Sequence, residues 1–247
     1  MPPLTAAARR ADALGVRRTL VLAAVATCAL AAAAPTAADP VPGGPREGSY
    51  LIARVKPGAV VKLRATPGGK LVKRVGRRTQ FGSLRVFTVF RRHGRWLGVS
   101  APEVANGRLA WIHERSALYF TRTAYSLHAD LSRRELELRD GDTVVRRITV
   151  GIGGWPSTTP IGRFAVTDKL KGRKYGRYYG CCILAISGTQ PNLPRGWVGG
   201  DRLAIHGTDR PSTIGEAASA GCLRANRLSL LHLMARVPLG TPVVIRA

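Results

Sequence analysis

One stretch near the C-terminal end of the chain holds two residue types that can act together as a base and a nucleophile. His206 is followed sixteen residues later by Cys222, which ends the small-residue turn Ser219-Ala220-Gly221-Cys222. A cysteine attacks as its thiolate, which forms when a neighbouring base or a helix N-terminus lowers the thiol pKa. We expect His206 to be the base and the start of the following helix to add the second effect. Gly221 gives the turn backbone freedom and leaves room for a substrate.

The elements on either side of this stretch must hold the two residues in position. The run 201–205 is strand-like, and it leads directly into His206. After Cys222, the run 226–236 predicts a helix, and the run 243–245 predicts a strand that closes a sheet.

The same residues resemble the catalytic core of the L,D-transpeptidase (YkuD-type) family of bacterial cell-wall enzymes. His206-Gly207, the turn 219–222 and Leu223-Arg224 match the family's His-Gly start, Ser/Thr-x-Gly-Cys turn and following aliphatic-Arg pair. Well upstream, Thr159, Pro160, Gly162 and Phe164 match a recurring Thr-Pro-x-Gly-x-Phe segment, which we interpret as scaffold. The end of the chain, with Gly-Thr-Pro-Val at 240–243, is similar to the family's end as well.

This resemblance implies a peptidoglycan L,D-transpeptidase. Cys222, with His206 as its base, would attack the carbonyl at the L-centre of a diamino acid in a wall stem peptide, and D-alanine would leave. An amine of a neighbouring stem would resolve the thioester to give a cross-link. We expect no cofactor and no metal. The oxyanion and substrate contacts are expected from Gly221, Ser219, Gly207 and Arg224. Arg224 could pair with a substrate carboxylate, or form a structural ion pair instead.

Two other functions stay open from the sequence. The first is an L,D-carboxypeptidase, which forms the same thioester and transfers it to water. The second is a non-catalytic wall-binding protein with a decayed site. Many family members carry a second histidine just before the Gly-Cys pair, where this chain has Ala220. That departure affects substrate or oxyanion contacts more than the base.

Residues 1–38 read as a secretory signal peptide, so we expect a secreted, extracytoplasmic protein of the cell wall. Four arginines precede the apolar run 20–34, and small residues follow it. The run is short for a membrane span of about twenty residues. An uncleaved anchor is the alternative, and only then would the protein contact the membrane. Residues 39–49 are rich in Pro and Gly, as in a flexible linker.

Residues 50–120 predict a small module of short strands separated by turn signals. Its ending, an Ala-Trp-Ile strand after a Gly-bearing loop, is similar to bacterial SH3-like wall-associated modules. The segment carries fifteen Lys and Arg but only Glu103 and Glu114 as acids. This charge favours contact with anionic wall polymers. A purely structural module packed on the catalytic domain is the alternative.

Residues 125–247 form the expected catalytic domain. Two alternating runs begin it, and Asp140-Gly141-Asp142 then predicts a hairpin turn before a third strand at 143–150. The expected fold is mainly β: a β-sandwich-like L,D-transpeptidase domain with a short helix after Cys222, preceded by the SH3-like β-barrel.

Two further segments carry residues of interest in this domain. The basic, Tyr-rich run 169–179 is interpreted as a solvated surface loop, with a lid or substrate rim as the alternative. Cys181 and Cys182 are interpreted as packing residues of a buried strand, because adjacent Cα atoms lie too close for a relaxed disulfide. The loop 190–200 is expected to line the cleft with Trp197.

Composition excludes several other classes. The net charge of +25 implies polyanionic surroundings, but no nucleic-acid motif or interleaved aromatic platform accompanies it. No histidine or cysteine pair has zinc-ligand spacing. No Gly-rich loop leads to a Lys-Ser/Thr end, so no nucleotide-binding site is expected.

Overall fold

The computed structural model describes residues 48–247, and the predicted signal peptide and nearly all of the linker lie outside this range. The fold is mainly β, as predicted, with one α-helix near the C-terminus. Within the described range, no helix is both long and apolar enough to cross a membrane.

The first sheet has seven strands in the order β3-β2-β6-β5-β4-β1-β7, and every pairing in it is antiparallel. Its core is built from the side chains of its strands that point inward, among them Leu63, Phe87, Leu97 and Ile112. Six of its strands follow runs seen in the sequence, whereas the last strand was not predicted. The strands are β1 (Tyr50–Val55), β2 (Val61–Arg64), β3 (Leu71–Val75), β4 (Val86–His93), β5 (Trp96–Val99), β6 (Ala110–His113) and β7 (Leu118–Thr123).

The second sheet has eight strands in the order β10-β9-β8-β17-β12-β13-β14-β16. Its predicted hairpin is present: Asp140 pairs with Thr143 across a two-residue turn that starts at Gly141, which has a φ of +58°. Two short strands, β11 and β15, pair separately. The strands are β8 (Tyr125–Asp130), β9 (Glu135–Asp140), β10 (Thr143–Thr149), β11 (Ile152–Gly153), β12 (Gly162–Lys171), β13 (Cys182–Thr189), β14 (Arg202–His206), β15 (Ala217–Ser219), β16 (Leu223–Arg224) and β17 (Pro242–Arg246).

Polar contacts tie the first sheet's loops to the central strands of the second. The Asn106 side chain binds both backbone groups of Thr189: its amide donates to the carbonyl at 2.6 Å, and its oxygen accepts from the N–H at 3.0 Å. Ser100 bonds to Ser187, and Thr79 donates to the buried carboxylate of Asp168. Directed hydrogen bonds of this kind fix the strand end at Thr189.

The helix predicted after Cys222 is present as α1 (Arg227–Arg236), and its range agrees with the prediction. Asn226 is its N-cap, and the Asn226 side chain accepts a hydrogen bond from the backbone N–H of Ser229 at 2.8 Å. Leu230 and Leu233 are fully buried in the core of the second sheet.

The helix cap can be tested by substitution. Asn226→Ala removes the acceptor for a first-turn N–H, and we expect the free energy of unfolding to fall by about 1 kcal/mol. Asn226→Asp keeps an acceptor and should retain most of the stability. Chemical denaturation of the two variants beside the parent measures this. Equal stability of Asn226→Ala and the parent would contradict the role of the cap.

Candidate active site

The two candidate catalytic residues lie near one edge of the second sheet. Strands β14 and β16 pair in parallel, with Ile205 opposite Leu223 and His206 opposite Arg224. Cys222 comes immediately before β16, and β16 is the edge strand. The parallel pairing therefore brings Cys222 alongside the C-terminal half of β14, although sixteen residues separate it from His206.

His206 is fully buried, and its ring orientation is fixed on one side. Its Nδ1 forms a hydrogen bond with the carbonyl oxygen of Gly207. Because a carbonyl oxygen only accepts, Nδ1 must carry the hydrogen, and Nε2 keeps its lone pair. Nε2 is buried without a hydrogen-bond partner among the described residues. The neutral ring thus presents a free basic nitrogen.

The pKa of His206 is lowered to about 4. Burial is the main cause, because it disfavours the charged imidazolium; the hydrogen bond to Gly207 opposes this effect, and the nearby positive charge of Arg224 adds to it. His206 is therefore neutral in the resting protein at physiological pH.

Cys222 is half-buried and packs beside Ile183, Ala185 and Ala204. Burial raises the pKa of its thiol to about 11, while a backbone hydrogen bond from Ala204 and the charge of Arg224 act in the opposite direction. The expectation of a thiol pKa lowered by a helix N-terminus is wrong, because α1 begins only at Arg227 and β16 lies between. At rest the pair is a neutral thiol and a neutral imidazole.

The turn before Cys222 is held by its own hydroxyl. Ser219 Oγ donates to the carbonyl of Cys222 at 2.6 Å and accepts from the N–H of Gly221 at 3.1 Å. Gly221 has a φ of +108°, and a Cβ there would lie 2.1 Å from the Nε2 atom of Gln190. Both the backbone conformation and the close approach require glycine.

Gln190 was not singled out in the sequence, yet it connects three segments around this turn. It is buried, and its amide nitrogen donates to the carbonyls of Ser157 at 3.2 Å, Thr158 at 3.0 Å and Ala220 at 3.4 Å. A glutamine in a loop carries no sequence signal for this role, because its partners come from distant parts of the chain.

Gly207, expected among the oxyanion or substrate contacts, is occupied with other bonds. Its N–H donates to the carbonyl of Cys182 at 3.1 Å, and its own carbonyl holds His206. Its contribution here is to orient the imidazole.

Arg224 is buried, and the described residues offer it no acidic partner. Its guanidinium donates to the hydroxyls of Tyr178 at 2.7 Å and Thr213 at 3.1 Å, and its Nε is buried without a partner. The alternative of a structural ion pair is therefore not what residues 48–247 contain. A buried cation with an unsatisfied hydrogen-bond donor can bind an anionic ligand.

The interpretation of residues 169–179 as a solvated loop is wrong at both ends. Residues 169–171 extend β12, and 3-10 turns follow at Gly172–Tyr175 and Arg177–Tyr179. The rings of Tyr178 and Tyr179 then pack on His206, with centroids at 5.5 and 5.0 Å. The two tyrosine rings contact the buried imidazole, so the segment is not solvated throughout. The charged residues of the segment gave no indication of this contact.

Cys181 and Cys182 are joined by a disulfide, which corrects their interpretation as free packing residues. Cys181 lies outside β13, in the turn after Gly180, so the alternation of a strand does not separate the two side chains. Cys182 is still part of the buried core.

Trp197 lines the cleft, as expected. It borders two depressions beside the Cys222 turn, one lined by Cys222, Tyr179 and Arg202 and the other by Ser219 and Arg224. Across residues 48–247, no three His, Cys, Asp or Glu side chains converge as metal ligands.

Comparison with known proteins finds matches to the part of the chain that forms the second sheet. The L,D-transpeptidase catalytic domain of the YkuD family matches residues 124–245. A Bacillus licheniformis protein named as L,D-transpeptidase YkuD is 31% identical over 123 residues, which cover 49% of this chain and 65% of the relative. A Bacillus subtilis protein named as L,D-transpeptidase YqjB is 33% identical over 106 residues, covering 39% of this chain and 57% of the relative.

The chain thus spans less than two thirds of the length of these relatives. The crystal structure of L,D-transpeptidase 3 from Mycobacterium tuberculosis is 15% identical, with a TM-score of 0.39, over 56% of this chain and 74% of that one. At this level the structural likeness adds nothing to the sequence match.

The neutral resting pair predicts a specific pH profile for alkylation of Cys222. Iodoacetamide reacts with the thiolate, so a pKa near 11 should make the rate rise about tenfold per pH unit from pH 7 to 10. Mass spectrometry of the peptide that contains Cys222 measures the rate, with a small free thiol as control. A rate that is high and flat between pH 6 and 8 would mean that Cys222 and His206 form an ion pair at rest.

Proposed function

We propose that this chain, whose residues 124–245 belong to the YkuD family of L,D-transpeptidase catalytic domains, is a cysteine-dependent enzyme that cross-links peptidoglycan stem peptides. The observation that carries the proposal is the state of His206. Its Nδ1 is held by Gly207, and its Nε2 is unpartnered on β14, the strand that pairs with β16 directly after Cys222. A base in this state removes a thiol proton without first losing one of its own.

The first step is proton transfer coupled to attack. As the Cys222 sulfur adds to the stem-peptide carbonyl, the thiol proton passes to His206 Nε2. Because both groups are neutral at rest, the charge develops only in the transition state. The imidazolium that forms is stabilised by the carbonyl of Gly207 at Nδ1.

The negative oxygen of the tetrahedral intermediate needs backbone donors near the sulfur. The N–H of Gly221 already donates to Ser219 Oγ, so the N–H of Cys222 is the donor that this turn still offers to the oxyanion. Such donors contribute about 2.7–4 kcal/mol each. Collapse of the intermediate breaks the bond to D-alanine, whose amine takes the proton from His206, and leaves the thioester. A neutral stem amine then attacks the thioester carbonyl and passes a proton to His206 Nε2. His206 returns that proton to the Cys222 sulfur as the C–S bond breaks, which restores the thiol and the neutral imidazole.

Arg224 is proposed as the anchor for a substrate carboxylate. Its guanidinium is buried, lines the depression next to Ser219 and lacks a counter-ion among the described residues. A carboxylate bound there would compensate the buried charge and use its remaining donors.

We also propose that the protein works outside the cytoplasm and that the first sheet holds it on anionic wall polymers. Arg54 and Lys56 lie over the exposed ring of Tyr119, at 5.2 and 5.1 Å from its centroid. Both glutamates of this sheet are already paired with Arg85, Arg92 and Arg95. The Arg54, Lys56 and Tyr119 surface, called here the β1–β7 patch, is therefore free to meet polyanions.

The catalytic proposal is tested by intact-mass spectrometry after incubation with a carbapenem. We expect one covalent adduct on the wild type and none on Cys222→Ala. His206→Gln should acylate at least a hundredfold more slowly, because general base catalysis of this kind is worth about 10²–10⁴. An adduct on Cys222→Ala, or none on the wild type, would refute the proposal. Product analysis with a disaccharide-tetrapeptide then separates cross-linking from hydrolysis.

The β1–β7 patch is tested by binding to purified cell walls that retain their anionic polymers. At about 1 kcal/mol for each cation near an anionic surface, Arg54→Gln/Lys56→Gln should weaken binding about thirtyfold at low salt. Arg92→Gln/Arg95→Gln removes the same charge from ion-paired positions and should have a smaller effect. Equal losses in the two double variants would mean that net charge alone decides binding.

A further inference from the structure

A groove beside the Cys222 turn has an unusual lining. It is formed by the turn residues Ala217–Ala220 and by a set of aromatic and proline side chains: Trp155, Pro156, Tyr178, Pro194 and Trp197. Its only charged residue is Arg224. On a chain with a net charge of +25, a nearly neutral aromatic groove next to the reactive turn indicates a ligand part that is itself uncharged.

Trp155 is the most unusual residue of this groove. Its side chain is 90% exposed, and the described residues provide it with no aromatic partner or hydrogen bond. The residues on either side are nevertheless anchored, because the N–H of Gly154 donates to the carbonyl of Ser219 at 3.0 Å and the Ser157 hydroxyl donates to the carbonyl of Asn192. A large apolar ring that is presented to solvent from an anchored segment is typical of a binding surface.

Trp197 presents a second ring to the same groove, in a fixed orientation. Its indole N–H donates to the carbonyl of Gly200 at 2.8 Å, and its ring meets Tyr178 edge-on at 6.1 Å. The polar atom of the indole is thereby satisfied within the protein, so a ligand meets only the apolar surface of the ring.

A pyranose ring matches this surface. Its C–H faces are apolar and stack on aromatic rings, whereas its hydroxyl and amide groups at the edges can stay hydrated. The substrate of the proposed reaction is a stem peptide attached to a glycan of N-acetylated sugars. A peptide segment with carboxylates would instead require cations, and Arg224 is the only one in the groove.

We propose that Trp155 and Trp197 form a subsite for an N-acetylated sugar of the glycan that carries the stem peptide. The subsite lies on the same groove as Ser219 and Ala220, so sugar and peptide would be bound continuously. The enzyme would then select glycan-attached stems over free peptides. This inference rests on the proposed function, and it adds a part of the substrate that the peptide chemistry does not need.

The test compares two substrates that differ only in the sugar. We expect kcat/KM to be about tenfold higher for a disaccharide-tetrapeptide than for the free tetrapeptide, the size of one good aromatic stack. Trp155→Ala should remove this preference, mainly through KM, and leave the free peptide unaffected. Val198→Ala is the matched control, because Val198 is 99% exposed in the same loop as Trp197 but does not line the groove.

An equal loss on both substrates, or no loss on either, would overturn the sugar subsite. If the wild type turns over neither substrate, the proposed function fails, and the subsite is tested by binding alone. The probe is then the N-acetylated disaccharide without peptide, followed by tryptophan fluorescence. Quenching that persists in Val198→Ala and is lost in Trp155→Ala would support the subsite; no quenching in the wild type would refute it.

Discussion

The parallel pairing of two short strands at a sheet edge is the constraint on which the site depends. Only Ile205 with Leu223 and His206 with Arg224 are paired, yet this register sets Cys222 alongside β14. A slip of one residue would turn the side chains to the other face. The hydroxyl of Ser219 and the amide of Gln190 hold the turn that enters β16, so this register is supported from both sides.

Burial controls the chemistry of the pair more than mutual attraction does. It lowers the pKa of His206 and raises the pKa of Cys222, so each group favours its neutral form. The positive charge of Arg224 lowers the pKa of both groups. For His206 this opposes protonation, whereas for Cys222 it favours the thiolate. A carboxylate bound to Arg224 would cancel both influences, so that His206 would become a stronger base and Cys222 a weaker acid.

The sequence predicted the elements that follow local rules and missed the contacts that do not. The hairpin at Gly141 and the helix capped by Asn226 depend on residues next to one another, and both are present. The roles of Gln190 and Tyr178 depend on partners thirty or more residues away, which no local pattern records. The sign of the Cys222 pKa shift was wrong for the same reason, since burial is a property of the packed sheet and not of the turn.

The first sheet also bears on the catalytic turn, through a short path of hydrogen bonds. Asn106 holds both backbone groups of Thr189, and the next residue, Gln190, reaches across to the carbonyl of Ala220. A change at Asn106 would move the strand end next to Gln190. The Gln190 amide already lies directly against Gly221, since a Cβ there would be 2.1 Å from Gln190 Nε2, so such a movement would disturb the turn. The first sheet therefore gives structural support to the catalytic turn, through the connection between β5 and β6 that carries Asn106.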